Sequence, residues 1–211
     1  MKIKQYMSKD VITVSPETSV TEAVTKMESH KIHNLPVTSN GQFVGLITQD
    51  IIDAKSASDA TSLSIYELNY ILSQANVEKF MDKQAATATT EWMVEEAAEY
   101  MRKHNLRVLP IVDDNKVVEG IVTYKDIFKA LIDLSGYQPD DVSSRIVVKV
   151  IEDKVGVLSE ITKVLADANV SVSHIFVNDE EGIEITIQVH SGKGEAARVA
   201  IENAGYEVIT L

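Results

Sequence analysis

The chain has 211 residues, 45% hydrophobic and 25% charged, an ordinary globular balance with room for one to three small domains. A formal net charge of −12 with no basic stripe argues against nucleic-acid binding, because phosphate contacts dominate that affinity. There are no cysteines for disulfide or thiol chemistry, no run approaching the roughly 18 apolar residues of a membrane helix, and no apolar signal stretch after Met1-Lys2-Ile3-Lys4. A cytoplasmic protein without a membrane partner is therefore expected.

In chain order, a short strand over 11–14 precedes an amphipathic helix on which Val20, Ala23, Val24 and Met27 recur at helical spacing. Strands over 35–37 and 43–47 follow, separated by the turn residues Ser39-Asn40-Gly41, and a second helix begins after Thr48. Between Ala60 and Leu72, Ser64 and Glu67 have capping-box spacing, and Leu68, Ile71, Leu72 and Ala75 form an apolar stripe. This predicts a helix packed on its neighbours or across a dimer. The same order then recurs: a strand over 86–88, a helix carrying Val94, Ala97, Ala98 and Met101, strands over 109–112 and 117–122, and a helix after Thr123.

The recurrence is an internal repeat. A shift of 74 residues lays Met7 on Met81, Thr13 on Thr87, Glu22 on Glu96, His30 on His104 and Leu35-Pro36 on Leu109-Pro110. One extra residue in the second copy carries Gly45 onto Gly120 and Thr48 onto Thr123, and another carries Asp50-Ile51 onto Asp126-Ile127. Each copy reads β-α-β-β-α. With the Leu-Pro-Val and Leu-Pro-Ile strand starts and the run Gly120-Ile121-Val122-Thr123-Tyr124-Lys125-Asp126, residues 1 to about 135 resemble the CBS family, whose tandem pairs form the Bateman module.

Thr123-x-x-Asp126 at a strand-to-helix junction suits a ribose, since the carboxylate can accept from both sugar hydroxyls beside a helix N-terminus that favours phosphate. The same spacing is a carboxyl form of the helix capping box and needs no ligand. The resemblance implies an adenine-nucleotide site in which Thr123 and Asp126 face Val11, His33, Asn34, Leu35 and Pro36. It implies a pseudo-symmetric second site of Thr48 and Asp50 with Arg107, Val108, Leu109 and Pro110. In the first copy the acid arrives one residue early, which on a helix rotates it by about 100°. Asp50 is therefore expected to miss the ribose, leaving the second site weaker, and its removal is expected to change little.

After a linker over 136–144 the pattern changes. A strand over 146–151, a helix carrying Leu158, Ile161, Leu165 and Ala168, strands over 172–177 and 183–189, a helix over 195–204 and a strand over 206–209 give β-α-β-β-α-β, the ferredoxin-like order. The run Asp153-Lys154-Val155-Gly156-Val157-Leu158 resembles the ACT family signature, over residues 145–211. That resemblance implies an amino-acid site on this loop, with Gly156 letting backbone amides approach a carboxylate; the alternative is that Gly156 only makes the turn and the domain only dimerises.

The expected class is α+β: CBS repeats at 1–58 and 79–135 joined by a helix at 59–78, a linker at 136–144 and an ACT domain at 145–211. The arrangement resembles the acetoin-utilisation protein B family, which implies a link to acetoin or central carbon metabolism. The expected function is a non-enzymatic sensor with AMP, ADP, ATP or a related adenine nucleotide as regulatory ligand, no catalytic cofactor, a homodimeric state and a regulated protein partner of unknown identity. Rival readings are an acetoin-metabolising enzyme, for which no Gly-x-Gly-x-x-Gly fingerprint exists, and a structural dimer with degenerate pockets. The five histidines show no paired-ligand spacing, so no metal site is expected.

Overall fold

Helical spacing of Val20, Ala23 and Met27 puts them on one face, and all three are buried on α1 (Val20–His30). The Ser19 hydroxyl accepts from the Glu22 amide to cap this helix, and Lys31 ends it in the left-handed conformation. Strands β1 (Asn34–Ser39) and β2 (Gln42–Thr48) pair antiparallel around Asn40-Gly41, both at positive φ as a tight hairpin turn requires. Helix α2 (Gln49–Asp59) follows directly. The second copy repeats the plan with α3 (Val94–Lys103), β3 (Val108–Val112), β4 (Val118–Thr123) and α4 (Tyr124–Ser135). The computed structural model describes residues 1–59, 72–137, 145–152, 154–179, 182–190 and 192–209, which form two compact units, Met1–Lys129 and Ala130–Leu211.

The strands expected over 11–14 and 86–88 are each reduced to one parallel bridge, Val14 to Val37 and Ala88 to Ile111. The Leu-Pro motif is the physical reason. Val14 donates to the Pro36 carbonyl and its own carbonyl accepts from Thr38; the next ladder bond would need an N–H from Pro36, which proline lacks. Pro110 stops the second copy at the same step, after Ala88 has donated to its carbonyl.

The copies exchange their leading segments. Ile3, fully buried, packs with Ala88, Ala97, Met101, Leu109, Ile111 and Val122 of the second copy. In return Val77, Phe80 and Met81 pack with Val14, Val20, Met27, Leu35 and Ile47 of the first. Backbone hydrogen bonds fix both crossings: Ile3 to Trp92 (2.9 Å) and Val94 to Met1 (2.8 Å) on one side, Val77 to Thr18 (2.8 Å) and Val20 to Ala75 (2.9 Å) on the other. The crossing chain runs so close to β2 that a Cβ on Gly45 would stand 2.9 Å from the Asp82 carbonyl oxygen, so only glycine fits there. Most of the expected helix at 59–78, including Ser64, Glu67, Leu68 and Ile71, lies outside the described residues; Leu72 and Ala75 pack against the first-copy core.

The second unit has the ferredoxin-like order. Strands β5 (Arg145–Val150), β6 (Val172–Asn178), β7 (Ile183–Val189) and β8 (Glu207–Ile209) form an antiparallel sheet ordered β6-β7-β5-β8. Helices α5 (Val157–Asp167) and α6 (Gly194–Asn203) pack on it through Ile161, Leu165, Ala197 and Ile201, against Val148, Ile185 and Ile187. Burial of Ile185, Ile187 and Val189 follows the alternation legible in the sequence, although Gln188 is buried too.

Candidate ligand cleft

A cleft of about 640 Å³ opens in the first unit, walled by matching pieces of both copies. In each copy the residue just before a hairpin is tied to the helix that follows it: Gln49 donates to the His33 carbonyl (2.9 Å) and Tyr124 to the Arg107 carbonyl (3.2 Å). The backbones of His33 and Arg107 are thereby tied to the N-termini of α2 and α4, where backbone amides favour an anion. Val11, Ile12, Asn34, Thr48, Thr123 and Asp126 complete the walls.

The two acids behave differently. Asp126 folds back, its Oδ2 accepting from the Thr123 amide (2.7 Å) and hydroxyl (2.9 Å), so the capping bond anticipated from the spacing is made. Oδ1 has no protein partner among the described residues, so capping and ligand contact are compatible on one carboxylate. In the first copy the Thr48 hydroxyl instead accepts from the Ile51 amide (3.2 Å), and Asp50 reaches across to Arg107, with Oδ2 3.0 Å from Nη1.

The residues assigned from sequence to two sites thus meet in one cleft: Val11, His33, Asn34, Thr123 and Asp126 with Thr48, Asp50 and Arg107. Leu35, Pro36, Val108, Leu109 and Pro110 do not line it; they are buried in the strands behind it. Lys31, Lys125 and Asp10 also line the cleft and were missed; the signals available were that Lys31 stands two residues before His33 and Lys125 lies inside the Thr-x-x-Asp motif, while Asp10 had none.

On the predicted ACT loop, Gly156 stands at φ 103° as the N-cap residue of α5, so a side chain there is strained even though its Cβ would meet no atom within 4 Å. Lys154 lies 3.4 Å from Glu160, and the Tyr206 hydroxyl donates to the same Glu160 Oε2 at 2.8 Å. These contacts, the tyrosine's first and the lysine's charge second, hold the Glu160 carboxyl below its ordinary range; donating that bond pushes the Tyr206 hydroxyl up. Val157 is buried, Val155 and Leu158 are exposed, and Asp153 lies outside the described residues. Among the described residues no group of three His, Asp or Glu side chains could hold a metal ion, and no helix is long and apolar enough to cross a membrane.

Two α-β-β-α copies, each led by a single parallel bridge and together walling one cleft, followed in sequence by a ferredoxin-like unit, define a tandem-repeat module. The chain belongs to the CBS domain family, whose profile matches residues 3–54 and 77–133, and it carries an ACT domain matched over residues 144–202. It is 37% identical over 129 residues to the inosine-5'-monophosphate dehydrogenase of Methanocaldococcus jannaschii, which covers 61% of this chain but only 23% of that enzyme. It is 29% identical to the CBS domain-containing protein YhcV of Bacillus subtilis, covering 59% of this chain and 81% of YhcV. Among solved structures, the CBS domain pair of protein MJ0100 in complex with 5'-methylthioadenosine and S-adenosyl-L-methionine matches with a TM-score of 0.53 and 30% identity. That match covers 62% of this chain and 95% of the other.

Proposed function

We propose that this chain is a non-enzymatic sensor whose CBS pair binds an adenosine-containing small molecule and reports it to a protein partner. The observation that carries this reading is that Asp126, bonded to Thr123 through Oδ2 alone among the described residues, lines one cleft with Val11, Ile12, His33 and Asn34. Asp126 accepts from the ribose hydroxyls, Val11 and Ile12 offer the base an apolar surface, and His33 and Arg107 meet the substituent on the 5' side. The ligands of the similar MJ0100 pair share this adenosine core, which supports the reading. Calorimetry with 5'-methylthioadenosine, S-adenosylmethionine, AMP, ADP and ATP should find one dominant adenosine site per chain. Failure of all five to bind at millimolar concentration would remove the reading.

The ACT unit serves in this proposal as a second sensor for an amino acid, with Gly156 and the start of α5 taking the carboxylate and Lys154 and Glu160 nearby. Acetoin or central carbon metabolism is the proposed context, although nothing in the cleft is specific for acetoin itself. A cytoplasmic homodimer completes the reading. Tyr124, Phe128, Leu131 and Ile132 lie four, three and one residues apart on a single exposed face of α4, a stripe suited to a second copy. Light scattering should give a dimer at micromolar concentration; a monomer there would overturn that part.

A further inference from the structure

We propose that Asp50 sets the charge selectivity of the cleft, discriminating against adenosine ligands that carry a polyphosphate. The inference rests on the reading that adenosine sits at Thr123 and Asp126, and it concerns the other end of the ligand. Arg107 is the fixed cation where a 5' substituent arrives, and Asp50 already holds its guanidinium at 3.0 Å. Both side chains are largely exposed, at 74% and 71%, so the pair is solvated and opens at little cost.

The placement follows from the sequence. With one residue fewer between threonine and acid than in the second copy, the carboxylate is turned about 100° around the helix. It cannot fold back on Thr48 as Asp126 does on Thr123, and it faces Arg107 of the opposite copy instead. The shortened spacing that removes a ribose ligand from one half of the cleft thus adds a carboxylate beside Arg107 in the other.

The charges around the cleft match this use. Lys31, Arg107 and Lys125 face Asp10, Asp50 and Asp126, so the cleft has no net positive charge to hold a triphosphate in a strongly anionic protein. A polyphosphate reaching Arg107 must lie beside Asp50. A zwitterionic substituent has no such conflict, because its carboxylate can take the guanidinium while its ammonium takes Asp50. The ligand class favoured is adenosine bearing a neutral, zwitterionic or singly phosphorylated 5' group.

The test compares AMP and ATP on the wild type and on Asp50→Asn, by calorimetry at two salt concentrations. Two like charges roughly 6 Å apart in a water-like medium weaken binding about threefold for each added charge. ATP carries about two more charges than AMP, so Asp50→Asn should raise the ATP-to-AMP affinity ratio about tenfold, and added salt should shrink that gain. An unchanged ratio, with AMP still bound, would overturn the selectivity role and leave the adenosine site standing. Should neither AMP, ATP nor adenosine bind the wild type, the site reading falls and the selectivity proposal with it. Asp50→Glu, which keeps the charge, should leave the ratio near the wild-type value if charge is the cause.

Discussion

Asp126→Ala should weaken adenosine binding by about 1.5–3 kcal/mol, roughly ten- to a hundredfold, the usual worth of hydrogen bonds to a charged group. The carboxylate caps α4 through Oδ2, which accepts from the Thr123 amide and hydroxyl, and it also lines the cleft, so on the proposed reading its loss removes both a ligand acceptor and a helix cap. The cap alone is worth about 1 kcal/mol of stability, which could mimic weak binding if the variant were partly unfolded. Asp126→Asn separates the two effects: its carbonyl oxygen can still accept from the Thr123 amide, but the negative charge is gone. Affinity should fall in both variants while Asn retains more of the stability. Full adenosine affinity in both would return Asp126 to a purely capping role.

Ile3→Ala should destabilise the first unit by about 2–5 kcal/mol, the range for emptying a fully buried aliphatic site. That is a large share of the 5–15 kcal/mol that typically separates folded from unfolded domains. Ile3 is two residues from the start of the chain, where truncation is ordinarily harmless, and its near neighbour Lys4 is exposed. The damage should fall on the second copy. Trp92, whose carbonyl accepts from the Ile3 amide and whose ring packs edge-on to Tyr100, is the single tryptophan and reports on that core directly. Urea unfolding followed by its fluorescence should show the loss for Ile3→Ala and a change within about 0.5 kcal/mol for Lys4→Ala. A cost below 1 kcal/mol for Ile3→Ala would mean the crossing segment contributes little.

What could be read from the sequence was the part with local periodicity. The buried faces of α1 and α3, the hairpins, the alternation along β7 and the order of elements all follow from spacing within one segment. The duplicated register also paired His33 with Arg107 and Thr48 with Thr123, which line one cleft where two sites had been expected. What escaped was everything that depends on which copy a segment meets. An apolar Ile3 announces burial but not a partner some 90 residues away, and a repeat matches each leader to its own copy by resemblance alone. The short strands were overestimated for a different reason. Val11-Ile12-Thr13-Val14 is β-branched throughout, but in both copies the proline missing an N–H lies on the neighbouring strand, outside any window drawn around the segment. The Asp50–Arg107 pair likewise joins residues 57 apart, and only the displaced spacing hinted that Asp50 had to point elsewhere.

The exchanged leaders also bear on how such a chain could arise. One copy taken alone lacks the segment that fills its own core: residues 1–8 close the second copy, and residues 75–82 close the first. A single ancestral repeat would therefore have had to borrow its leader from another molecule, each subunit lending an arm to its twin in a two-fold pair. In this chain both arms belong to one polypeptide, so neither half can be removed without opening the core of the other. The two halves differ in what their acids hold: Asp126 caps its own threonine, while its counterpart, one residue out of step, pairs with Arg107 of the other copy.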